Sequence, residues 1–137
     1  MDPLQLDDVS KADLLASMPA ALRVAFPTFD WSVEQLWALQ LPVETMPIEA
    51  FGWLLDLPLW RWRGKRFQVS VRDVITHPGT YEPHVRKAMA TDLSYPICVT
   101  THLERVVILD GYHRLLKAIL LGRTSLDAVE VTADDLR

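Results

Sequence analysis

Five consecutive residues, Asp110-Gly111-Tyr112-His113-Arg114, with Lys117 a turn of helix further on, combine the parts that hold an anion. They follow a β-branched run at 106–109 and precede a helical pattern closed by Gly122, so the spacing predicts a strand, a tight turn and a helix in that order. Free backbone N–H groups and the dipole at a helix N-terminus attract negative charge. A glycine in the turn lets the backbone come close, and cationic side chains within one turn add charge-assisted hydrogen bonds. On that reading Gly111, His113, Arg114 and Lys117 hold an anion such as a phosphate. The same residues admit a plainer reading, with Asp110 as helix cap, Gly111 as turn residue and the basic side chains as a solvated face.

The helix that carries these groups is amphipathic. At 100° per residue Tyr112, Leu115, Leu116, Ile119 and Leu120 form one apolar face, and His113, Arg114 and Lys117 fall on the opposite side. Two further strands are expected, at 97–101 with a polar break at 102–105, and at 128–132, where Thr132 and Asp135 can cap a last turn.

Upstream elements are read from caps and prolines. Ser10 with Asp13 makes a capping box before a short helix that Pro19 interrupts, and Pro27 ends the apolar run 20–26. Ser32 with Gln35 repeats the box, with Trp31 and Leu36 at the two positions of a hydrophobic staple, and predicts a helix over 33–40. A helical turn is expected at 51–55. Residues 60–67 alternate aromatic and basic side chains around Gly64, as a hairpin does with one face buried, and Phe67, Val69 and Val71 then alternate into the core. Ser70 with Asp73 caps another short helix, His77-Pro78-Gly79 is a turn, and Pro83 suits the first position of a helix running to about residue 93.

Composition sets the bounds. A chain of 137 residues, half of them hydrophobic, is expected to form one folded domain. A net charge of −4 argues against non-specific coating of nucleic acid, which relies on neutralising many phosphates. No stretch approaches the roughly 20 apolar residues of a membrane span, and the acidic start lacks the pattern of a secretory signal, so a cytoplasmic protein is expected. Cys98, the only cysteine, reads as an inert buried thiol on a strand remote from the turn. The four histidines show no zinc-type spacing, and no metal ligands are assigned.

The segment 107–122, Val-Ile-Leu-Asp-Gly-Tyr-His-Arg-Leu-Leu-Lys-Ala-Ile-Leu-Leu-Gly, resembles the signature of the ParB/sulfiredoxin-like superfamily, in which a strand delivers a Gly-x-His-Arg turn to a helix. With the order of elements upstream, the resemblance covers roughly residues 67–137. Together with the elements read along the chain, it points to an α+β fold, a small mixed sheet with packed helices over 41–137, preceded by a helical N-terminal extension over 1–40. It also implies that ATP, ADP or CTP, with Mg²⁺, sits with its phosphates on Gly111, Tyr112, His113 and Arg114. The helix after Pro83 would then contribute His84, Lys87 and Thr91 from one face. Free-serine kinases of this superfamily have an Asp-Gly-His-His-Arg type of turn and an acidic base, a role for which Asp110 and Glu82 are the candidates.

Two departures narrow the implication. Sulfiredoxins place their catalytic cysteine where this chain has Tyr112, so a sulfinic acid reductase is not expected. The partition protein carries a further helical segment that has no counterpart after Arg137, so a sliding-clamp CTPase is not expected either. The function expected is nucleotide binding, with phosphoryl transfer or hydrolysis acting on a small substrate. The alternative is a non-catalytic module that docks nucleic acid or a protein through the 60–67 hairpin, whose aromatics and Arg61, Arg63, Lys65 and Arg66 have the composition of such a platform. Trp31, Trp37 and Trp53 read equally as core or as the interface of a homodimer.

Overall fold

The computed structural model describes residues 18–23, 26–27 and 29–137, and the capping box read at Ser10 and Asp13 lies outside them. The elements are α1 (Ala20–Arg23), α2 (Val33–Ala38), β1 (Glu44–Pro47), a 3₁₀ helix (Ile48–Leu54), β2 (Trp60–Trp62), β3 (Lys65–Val69), α3 (Val71–Thr76), α4 (Glu82–Met89), β4 (Ile97–His102), β5 (Arg105–Asp110), α5 (Tyr112–Leu120), β6 (Ser125–Glu130) and a closing 3₁₀ turn (Asp134–Leu136). Both capping boxes among these form. The Ser32 hydroxyl accepts from the Gln35 N–H and the Ser70 hydroxyl from the Asp73 N–H, while each third-position side chain reaches back to the cap N–H. Thr132 and Asp135 bond one another in the same way before the last turn.

Several boundaries differ from the sequence expectation, among them a 3₁₀ helix over Ile48–Leu54 where a helical turn is expected at 51–55. The helix expected over 33–40 stops at Ala38, where Leu39 turns extended, and Leu39 and Leu41 both pack on the apolar cluster of Leu36. The helix expected to reach 93 stops at Met89. There the Thr91 hydroxyl bonds the Ala88 carbonyl and the Asp92 carboxylate takes the Ser94 N–H, so local side chains replace the helical pattern. The last strand runs from Ser125 to Glu130 rather than over 128–132, since β1 pairs with it from Ser125 to Ala128.

The fold is mixed α+β. A four-stranded sheet has the order β1-β6-β4-β5, with β4 antiparallel to β5 and parallel to β6, and β2 and β3 form a separate antiparallel hairpin. Both faces of the larger sheet are covered. Ile97, Val99, Ile108, Leu126 and Ala128 belong to one apolar cluster with Tyr112, Leu115, Leu116 and Ala118 of α5. Cys98, Leu109, Val129 and Val131, alternating with them, pack with Leu36 of α2. The described part of residues 1–40 is thus built into both cores, with Met18 and Leu22 in the first and Leu36 in the second. No helix among the described residues is long and apolar enough to cross a membrane.

β5 is an edge strand, whose outer carbonyls need partners. Trp53 Nε1 donates to the Val106 carbonyl at 3.0 Å, and Trp31 Nε1 to the Leu109 carbonyl at 3.2 Å. The tryptophans read as core or interface therefore guard an edge, and they fix the strand that delivers the turn.

That turn is seated on β4. Gly111 has φ +120°, a conformation L side chains rarely adopt, and a Cβ placed on it would lie 2.8 Å from Cβ of the fully buried Ile97 and closer still to its Cγ2. Gly111→Ala is expected to destabilise the protein by about 2–5 kcal/mol, from backbone strain and overpacking together. Denaturant midpoints check this, and a variant within about 0.5 kcal/mol of wild type would show that the turn is not pressed against β4.

Candidate functional site

The site begins at the N-terminus of α5. The first backbone bond of the helix runs from the Leu115 N–H to the Gly111 carbonyl, so the N–H groups of Tyr112, His113 and Arg114 have no intrahelical acceptor, and Gly111 has no side chain to cap them. Asp110 is not the cap. It ends β5, and its Oδ2 accepts from Arg114 Nη2 at 2.8 Å and from Trp37 Nε1 at 3.3 Å. Both side chains of the ion pair are only 14% exposed. Arg114 Nη1 also donates to the Pro96 carbonyl at 3.1 Å, which ties the first turn of α5 to the loop entering β4.

His113 departs furthest from the helical-wheel reading. Its ring stacks on Trp60 with centroids 4.4 Å apart, and His84 stacks on the same indole at 4.7 Å. His84 Nε2 lies 3.2 Å from the Arg61 carbonyl, and His84 Nδ1 lies 3.2 Å from His113 Nε2. A carbonyl only accepts, so His84 carries its proton on Nε2, its Nδ1 accepts, and His113 donates from Nε2. Burial first, then the ammonium of Lys87 and the facing His84, push the His113 pKa down to about 3. Burial and Lys87 lower that of His84 against the pull of the Arg61 carbonyl. Both rings are neutral at pH 7, and His113 brings no positive charge to the turn. The wheel puts His113 and Lys117 in solvent because it shows one helix, whereas α4 lies along that side of α5.

A cavity of about 850 Å³ opens over the turn, within the usual range for a small-molecule site. Asp110, Gly111, Tyr112, His113 and Arg114 line it, with Lys87 and Thr91 from the end of α4. The opposite wall is apolar and comes from α2 and the segment after it, Leu36, Trp37, Leu39, Leu41 and Val43.

No protein-family model, curated protein or solved structure matches this chain. The likeness to the ParB/sulfiredoxin-like superfamily accordingly rests on the residues of the turn and the order of elements.

Most of the residues singled out in the sequence meet at this cavity, and three do not line it. Lys117 is turned away, with Nζ 2.5 Å from the Thr91 carbonyl, where it holds the end of α4 against α5. His84 is buried and contacts a residue lining the cavity through His113. Glu82 pairs with Arg86 on an exposed turn of α4. Among the described residues no group of three or more His, Cys, Asp or Glu is placed to hold a metal ion.

Cys98 requires a correction. It was expected to lie remote from the turn, yet it sits opposite Asp110 in the β4–β5 ladder and lines the same cavity. Strand position alone does not reveal this, because a bulge between Cys98 and Val99 sets the pairing. Burial, and then the charge of Asp110, raise its thiol to about 11, so it is protonated at neutral pH and a poor nucleophile. Trp37, read from sequence only as core or interface, and Tyr95, not singled out there, also line the cavity. No local pattern marks Trp37 as the partner of Asp110, since the two are 73 positions apart.

The histidine pair gives a pH dependence of known sign. Both folded-state values lie below the ordinary 6.5, so the unfolded chain binds the extra protons; the stability is fully present above about pH 6.5 and is lost as pH falls toward about 3. Between pH 6.5 and 5, ahead of most carboxylate titration, His113 alone is expected to remove on the order of 1–2 kcal/mol. His113→Phe, which keeps a ring on Trp60, should flatten that slope in urea melts at a series of pH values. Equal slopes for wild type and variant would show that His113 titrates normally.

Proposed function

We propose that the cavity at the start of α5 binds a nucleotide, ATP, ADP or CTP, with its phosphates on the N–H groups of residues 112–114 and beside Arg114 and Lys87. The observation that carries this reading is a helix terminus with no side-chain cap that opens into a cavity of nucleotide size carrying two cationic side chains. The resemblance of residues 107–122 to a phosphate-binding turn points the same way.

Phosphoryl transfer or hydrolysis needs, in addition, a group that takes a proton from the attacking oxygen. His113 has its Nε2–H committed to His84 and its proton affinity pushed far down, which makes it a poor base. Asp110 is the remaining candidate, and it must part from Arg114 to act. Mg²⁺ is ordinarily held by a nucleotide's own phosphates and one or two carboxylates, and Asp110 and Asp92 are the carboxylates that line this cavity. Binding is therefore the function best supported, and chemistry on a small substrate depends on releasing Asp110.

The docking alternative loses one ring of the hairpin. Trp60 is 1% exposed inside the histidine stack and offers no open face to a base, while Trp62 is half-buried beside Tyr81.

Thermal denaturation with each nucleotide and Mg²⁺ tests the proposal. At about 100 times Kd the expected rise in Tm is roughly 5–10 °C. Arg114→Ala should abolish the rise. That variant also breaks a mostly buried ion pair and lowers the ligand-free stability by about 2–3 kcal/mol, so the ligand-induced shift is the quantity to read. No shift with any of the three nucleotides at millimolar concentration would sink the proposal.

A further inference from the structure

Two large aromatic side chains at this cavity are unusually exposed, Trp37 at 67% and Tyr95 at 64%. They are held on either side of one ion pair. The indole N–H of Trp37 reaches Asp110 Oδ2, and the Tyr95 carbonyl lies 3.4 Å from Arg114 Nη1, with the adjoining Pro96 carbonyl at 3.1 Å. Trp37 thus has its one donor committed, and what it presents to the cavity is an apolar π surface. Val43, 56% exposed, continues the same rim. Exposed apolar surface gathered at the mouth of a concave site, with charge at its floor, marks ligand contact more than accident.

We propose that Trp37 and Tyr95 hold the planar base of the nucleotide at the cavity mouth and so set the preference of the site for a nucleotide over bare phosphates. The inference rests on the nucleotide reading above and adds the end of the ligand that the turn does not reach. A base has two apolar faces and stacks on aromatic rings with little regard to its identity, whereas phosphates alone gain nothing from such a wall. The residues before the sheet, with no polar chemistry of their own, thereby acquire a role in recognition. Tyr95 supplies the second ring from the loop whose backbone Arg114 grips, so phosphate-binding and base-binding groups are held by one set of hydrogen bonds.

The test compares ATP with tripolyphosphate, which has a similar charge and no base, by calorimetric titration of the full chain at equal Mg²⁺. Wild type is expected to bind ATP about 5- to 100-fold more tightly than tripolyphosphate. Trp37→Ala and Tyr95→Ala should each bring that ratio down toward one, and their exposure means that the core is left intact. Trp37→Phe, which keeps a ring and loses the N–H to Asp110, should retain most of the ratio. A wild-type ratio near one, or a ratio unmoved by both alanine variants, overturns the base clamp and leaves phosphate binding standing. A Trp37→Phe ratio as low as that of Trp37→Ala overturns it too, by assigning the effect to the indole N–H. If neither ligand binds wild type, the nucleotide reading itself fails and the clamp with it.

Discussion

The missing side chain at position 111 is the constraint on which the rest of the site depends. It lets the backbone between β5 and α5 press against Ile97 of β4, and that approach fixes where the first turn of α5 starts. From there Arg114 lies within reach of Asp110 below it and of the Tyr95 and Pro96 carbonyls beside it, and His113 meets Trp60. A glycine here reads from sequence as room for a ligand's phosphate. The space it leaves is filled first by the protein's own isoleucine, so the residue is required by the fold before any ligand arrives.

Around that turn the chain assembles three pieces that are distant in sequence. α4 brings Lys87 and the buried His84, the loop before β4 brings the carbonyls that Arg114 grips, and the segment from Trp31 to Val43 covers the far face of the sheet and forms the opposite wall of the cavity. Trp31 and Trp53 serve the edge of β5, while Trp37 reaches past it to Asp110. An edge strand left open would invite pairing with another chain; here indole donors and a short helix close it.

What was legible in the sequence was local. Capping boxes at Ser32 and Ser70, the hairpin around Gly64, the turn at His77 and the strand-turn-helix at 106–121 depend on residues a few positions apart, and each is realised. The mixed α+β class followed from their order. What was not legible depends on long-range register and on neighbouring helices. Cys98 reaches the cavity through a bulged pairing, His113 is buried because α4 and Trp60 cover a face that a wheel leaves bare, and Trp37 finds Asp110 across 73 positions. Helix and strand ends shifted where a side chain such as Thr91 or Asp92 outcompeted the helical backbone pattern.

The electrostatics of the cavity then limit what it can hold. Arg114 and Lys87 line it, but so do Asp110 and Asp92, and the two histidines that a sequence count would add as cations are neutral. The uncompensated positive potential is that of the helix terminus, equivalent to about half an elementary charge. A ligand with three or four negative charges exceeds it. Such a ligand is matched to this site when it arrives with its own counter-cation, or when its phosphates draw Arg114 away from Asp110 and leave that carboxylate to the cation. The ion pair that stabilises the turn without ligand is, on this argument, also the element whose opening would link nucleotide binding to any chemistry at Asp110.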